Sequence, residues 1–328
     1  MTDGAGCLEG PARVRLLVRS VLDWHRPLMA ASVLSGLVLA AALVGTAVDD
    51  RVLVGEPVWS KPARFALSIA VYTVTLAWLL SRTRRLGHRL GTVIAVLVTA
   101  ELAAVVVQAV RGVRSHFNVA TVVDAVVFNA MGVVVMAVWA LHLAVAAVLL
   151  RRPVGDRATT CALRWGTAVT LAGMPVALFM SPATPEQAAA VAAGGSDVIG
   201  AHTVGAPDGG PGLPLVGWST VAGDLRVPHF VGIHGLQAMI LVALAVGAAA
   251  RYRSEAVRVR LVGVAGAAYA GAFGLTAWQA LRGQSVVAPD AWTLAVAGAL
   301  LAYAVAGSWR ALASRARRSS ETDPGAAE

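Results

Sequence analysis

Only one of the chain's 27 basic residues is a lysine, Lys61; the other 26 are arginines. Charge of either sign is scarce. Asp, Glu, Lys and Arg make up 14% of the 328 residues and hydrophobic residues 57%, whereas soluble domains hold about a quarter charged residues. Together with a mean hydropathy of +0.70, this excludes an ordinary water-soluble fold and indicates a polytopic membrane protein. Cysteine is nearly missing. Cys7 and Cys161 fall in or beside basic segments expected on the cytoplasmic side, so no disulfide is expected. There is no HExxH or comparable histidine spacing to mark a metal site. No repeat relates the two halves, as it does in many secondary transporters. No cleavable signal peptide is evident, because the first apolar run is long, starts late and lacks a small-x-small site behind it.

What is present is a series of apolar runs separated by short polar segments. A span needs about 20 mostly apolar residues, and eight runs qualify: 27–48, 63–81, 90–110, 119–150, 161–180, 228–250, 259–281 and 291–309. The fourth is too long for one perpendicular crossing, so its early turns are expected to protrude. The net charge of +9 might suit nucleic acid, but the arginines sit in clusters on alternate connections. Arg13, Arg15, Arg19 and Arg26 precede the first span; Arg82, Arg84, Arg85 and Arg89 lie between the second and third. Arg151, Arg152 and Arg157, then Arg251, Arg253, Arg258 and Arg260, then Arg310, Arg315, Arg317 and Arg318 follow in the same alternation. The positive-inside rule places these clusters in the cytoplasm. The bilayer, not nucleic acid, is the expected partner; oligomeric state does not follow.

The expected fold is therefore all-α: eight transmembrane helices with both termini cytoplasmic. A basic segment 1–26 precedes one membrane domain over 27–310, and a disordered tail, 311–328, follows it. The longest outer connection, 181–227, is rich in Gly, Pro and Ala and too apolar for a solvated linker. It is expected to fold back over the outer face, with Trp218 as a lid contact. Within it, TPEQAAAVAAG predicts a short helix with Thr184 as N-cap, Pro185 at the first position and a Gly194 stop. Trp59, Trp278 and Trp292 suit an aromatic belt at the outer interface, and Trp24, Trp165 and Trp309 one at the inner.

Strongly polar side chains within spans face the bundle interior by default. Lys61, Arg64, Ser68, Tyr72 and Thr75 recur at steps of three or four and form one stripe of the second span. Glu101 and Gln108 share a face of the third, extended outward by Arg111. The fourth begins with His116, Asn118 and Asp124, and His142 lies deeper on the face of Asp124. The sixth opens with GDLRVPHFVGIHGLQ, carrying Asp224, Arg226, His229, His234 and Gln237. On a continuous helix, His234 and Gln237 would be neighbours and His229 would point away. Gln279 and Arg282 close the seventh span. These residues are expected to line a polar site in the outer half of the membrane.

Two readings of the outer cations stand side by side. Lys61, Arg64, Arg111, Arg226 and Arg282, with Arg114, could form a site for a phosphate, carboxylate or lipid headgroup. Alternatively, they pair with Glu56, Asp224, Glu101, Asp124 and Asp290 in structural ion pairs. Glu101, His234 and His229 are the candidates for acid–base catalysis, against hydrogen-bonded structural roles. His116 with His229 could in principle ligate haem, and His with Asp or Glu a metal. No cofactor is fixed by the residues. The function expected is binding or turnover of a small polar, anionic or lipid-like ligand, with a secondary transporter or a haem or metal redox protein as alternatives.

The motifs WSKPARF, RGVRSHFN, GAPDGGPGLPLVGWST and GDLRVPHFVGIHGLQ together resemble an uncharacterised family of bacterial multi-pass membrane proteins. The resemblance covers roughly the second to sixth spans. It implies a location in the bacterial inner membrane, and it carries no activity, cofactor or catalytic residue to this chain.

Overall fold

Short polar residues and prolines decide where the apolar runs become helices. The computed structural model describes residues 20–81, 83, 85–151 and 153–314. Cys7, Arg13, Arg15, Arg19, Arg82, Arg84, Arg152 and the tail from 315 with its arginines lie outside the described residues.

Helix α1 (Arg26–Val48) is capped by His25, whose ring Nδ1 accepts from the Leu28 amide. A two-strand turn, β1 (Val52–Leu53) and β2 (Glu56–Pro57), precedes α2 (Ser60–Leu80), and α3 (Arg85–Arg111) follows. Helix α4 (Val122–Leu150) begins at a reciprocal cap: Thr121 Oγ1 accepts from the Asp124 amide and donates to the Asp124 carboxylate. Asp156 caps α5 (Arg157–Gly173) by accepting from the Thr159 amide. Helix α5 does not run on to the end of its apolar segment as expected. At Met174–Met180 it tightens into a 3₁₀ helix with Pro175 in its first turn, because proline has no amide to continue the ladder.

The outer connection folds as expected at its start. Helix α6 (Pro185–Ala192) has Thr184 as N-cap in a capping box with Gln187, and Gly194 follows in the left-handed region. Strands β3 (Thr203–Val204) and β4 (Gly223–Asp224) pair antiparallel, and a hairpin between them is tied by the Leu213 amide to the Trp218 carbonyl.

The sixth apolar run differs most from expectation. Rather than one helix, it is α7 (Arg226–Ile233) and α8 (Gly235–Ala249), bent by 50° with His234 at the break. Helices α9 (Glu255–Leu281) and α10 (Ala291–Ala313) complete the described residues. The chain is thus all-α and polytopic: among the described residues, seven helices are long and apolar enough to cross a membrane, eight spans if the bent pair counts as one.

Contacts divide the described residues into two compact units. The first holds α1, α2, α3 and residues 131–148 of α4. The second holds 51–58, 112–130 and everything from 149. The first nine residues of α4 thus belong with the second unit. In the first unit α1, α2 and α3 pack on one another, with Trp59 filling the space over Gly45 and donating through Nε1 to Asp49 at 2.8 Å. In the second unit, two buried clusters form the core. One is Phe117, Val176, Met180, Leu225 and Ala280; the other is Ala158, Ala162, Met239 and Val262.

Candidate functional site

In the first unit, α2 and α3 run antiparallel, with the Leu80 side chain against Gly87 and Gly91. Counting both helices away from that contact at ~1.5 Å per residue brings Lys61 near the level of Gln108, and Ser68 near that of Glu101. The stripe read from the sequence therefore meets the polar face of α3. Lys61 is close enough to act electrostatically on Glu101. Glu101 and Gln108 are both buried, at 6% and 1% exposure, and the Arg111 guanidinium donates to the Gln108 carbonyl oxygen. Arg64 is half-buried and Arg111 exposed at the helix end. Six expected site residues, Lys61, Arg64, Ser68, Glu101, Gln108 and Arg111, thus belong to one end of the α2–α3 pair. Farther along, Tyr72 of the same stripe shares a 3.0 Å hydrogen bond with Nδ1 of buried His142. Two further histidines stack at the opposite end, His25 on His88 with ring centroids 4.2 Å apart. His25 Nε2 donates to the His88 carbonyl at 2.9 Å while its Nδ1 caps α1. One neutral tautomer makes both bonds.

In the second unit, most expected site residues are engaged in holding loops. The buried Asp224 carboxylate accepts from the Ser219 amide at 2.8 Å, the Arg226 amide at 2.9 Å and the Arg226 guanidinium at 2.7 Å. Glu56 lies 3.6 Å from the same guanidinium. Arg282 stacks on Trp278 and pairs with Asp290 at 2.6 Å. Gln279 donates to the Ser285 carbonyl, and Asn118 accepts from Ala120 and donates to the Arg114 carbonyl. Asp124 is bound into its helix cap, and His116 sits 3.0 Å from Ser115 Oγ beside Phe117 and Phe128. For Arg226 and Arg282, then, the ion-pair reading describes the geometry. Trp218 approaches Phe230 of α7 with centroids 6.3 Å apart, so the loop does reach this helix.

The break at His234 overturns the helical-wheel argument for the sixth span. Gly232 and Gly235 flank His234, and at both the neighbouring helix is too close for a side chain. A Cβ on Gly232 would stand 2.3 Å from the Gly173 Cα, and one on Gly235 3.0 Å from the Val169 side chain. Helix α5 therefore crosses the break nearly backbone to backbone. Side chains take up backbone groups freed by the two helix interruptions. Tyr269 donates to the Val231 carbonyl at 2.6 Å, Thr170 Oγ1 accepts from the Leu236 amide at 3.0 Å, and His229 Nδ1 donates to the Gly173 carbonyl at 3.0 Å. Such satisfaction is what allows a helix to break at membrane depth. The signal in the sequence was GIHG, two glycines bracketing a histidine inside an apolar run.

Sequence reasoning also missed His202 and Asp208 in the outer loop. The His202 ring donates through Nδ1 to Asp208 at 2.8 Å, and the His202 and Thr203 amides donate to the same carboxylate. Burial works against the charge on Asp208, but the His202 ring and these amides outweigh it and hold the carboxyl well below its usual range. The signal was a histidine six residues before an aspartate in a glycine-rich turn, HTVGAPDGG. His202 and His234 both act electrostatically on His229. Among the described residues, however, no three His, Cys, Asp or Glu side chains are disposed to hold a metal ion.

No family model, curated protein or solved structure matches the chain. The chemistry open to it therefore rests on these two sets of residues.

Proposed function

We propose that this chain is a multi-pass protein of the bacterial inner membrane that binds a small anionic group, a phosphate or a lipid headgroup, at the outer end of α2 and α3. The observation that carries this reading is the placement of Lys61 and Arg64 beside the Gln108–Arg111 end of α3, with the Glu101 carboxyl buried below. Cations on the outer side run against the positive-inside rule, and their charge suits a ligand of opposite sign. Glu101 competes with the ligand for Lys61, so ligand entry and the charge of Glu101 are linked. Orientation follows the positive-inside rule: Arg85 and Arg89 open α3 at the end opposite Arg111, and this supports a cytoplasmic side for that end. Counting α7 and α8 as one span then leaves both termini inside.

The test is binding by the full chain in nanodiscs, with inorganic phosphate and phosphatidylglycerol as separate probes. Each charge-assisted hydrogen bond contributes about 1.5–3 kcal/mol, so Lys61→Ala or Arg111→Ala should weaken binding roughly ten- to a hundred-fold. Binding of neither probe, or binding indifferent to both substitutions, defeats the proposal. Phosphate alone indicates a soluble anion; the lipid alone indicates a headgroup site. The Tyr72–His142 pair favours a second reading, transport, because it extends polarity beyond the outer end. An imposed pH gradient that drives uptake of the bound anion in wild type and not in Tyr72→Phe supports transport; binding without uptake removes it.

A further inference from the structure

The accounting of polar groups around the α7–α8 break closes at every named backbone group but leaves one side chain open. Thr170, Tyr269 and His229 each meet a backbone group freed where the helices are interrupted. One turn into α8, the Gln237 carboxamide is different. Both its Nε2 and its Oε1 are sealed from the surface, and neither has a hydrogen-bond partner among the described residues. An amide buried without partners is costly anywhere and more so at membrane depth.

We propose that the break holds an ordered water hydrogen-bonded to the Gln237 carboxamide. Three features fix the class of guest. The carboxamide offers donors and acceptors together, so its partner must both accept and donate. It is itself uncharged, and an ion stripped of hydration beside it would lack a countercharge. It is enclosed, so the guest is small. Buried water is what proteins use to satisfy such a group, and water commonly re-satisfies groups near interrupted membrane helices. This site is separate from the anion site, and neither depends on the other.

The experiment is a density map of the full-length protein in nanodiscs at a resolution that shows water, joined to thermal unfolding of Gln237→Leu. The expected map has a single-water peak within hydrogen-bonding distance of Nε2 or Oε1. The expected midpoint of the variant falls by a few degrees, because leucine offers the water neither a donor nor an acceptor. Three results overturn the proposal: a carboxamide bonded directly to a protein group, a density larger than one water, or no density with a midpoint that rises on substitution. Should Gln237→Leu fail to accumulate, the wild-type map alone decides.

Discussion

Replacing Asp224 by alanine should release the outer loop without unfolding the membrane helices. The Asp224 side chain is 1% exposed and that of Arg226 19%, so solvent screens their attraction little. Removing the carboxylate leaves the guanidinium with Glu56 at 3.6 Å and the Gly217 carbonyl, and it orphans the Ser219 amide. Breaking a buried pair from one side costs about 3–5 kcal/mol, and an unsatisfied amide about 1–3 kcal/mol. Glu56 offsets part of this, so a net loss of about 3 kcal/mol is expected for the local structure. At 1.4 kcal/mol per decade, that raises the open population of the loop roughly a hundred-fold. Limited proteolysis with thermolysin reads this population when reclosing is faster than cleavage. The cut should fall within 181–227, at about a hundred times the wild-type rate. The double variant Asp224→Ala, Arg226→Ala should be cleaved more slowly than the sum of the single effects requires, because no buried charge is left unpaired. Wild-type cleavage rates in Asp224→Ala, or strict additivity in the double variant, would refute the argument that this pair anchors the loop.

Two further outcomes follow from the same geometry. Asp208 titrates in the unfolded chain near pH 4 and lower in the fold, so the unfolded state takes up the proton first. Its stabilisation of the loop is complete above about pH 4 and is lost as pH falls toward the depressed value; hydrogen exchange of the 202–208 amides should show this fall, and Asp208→Asn should abolish it. Gly232→Ala places a methyl 2.3 Å from the Gly173 Cα and should cost at least about 1–3 kcal/mol by overpacking, whereas Gly263→Ala, with nothing within 4 Å, should be neutral or slightly stabilising; thermal unfolding in detergent compares them, and equal midpoints would contradict the close crossing of α5.

The apolar runs determined the spans by themselves, because a bilayer fixes both the length and the composition of whatever crosses it. Caps were equally local. Thr184 and Pro185 announced α6 because a capping residue bonds its own next turn. The stripe from Lys61 to Tyr72 was legible because helical spacing alone puts those residues on one face. What that stripe meets was not: the His142 partner of Tyr72 and the level of Glu101 depend on how far one helix slides along another. Asp224 and Arg226 could be read as a binding site or as an anchor, and only the folded loop, which brings the Ser219 amide and Glu56 to them, makes them an anchor. The opening of the sixth span shows the division most plainly. Its glycines and histidines were visible, but a helix breaks inside a membrane only when neighbours satisfy the freed backbone groups. Those neighbours, Thr170 and Tyr269, lie 66 and 38 residues away in the chain, so only the tertiary structure could decide that the span bends at His234.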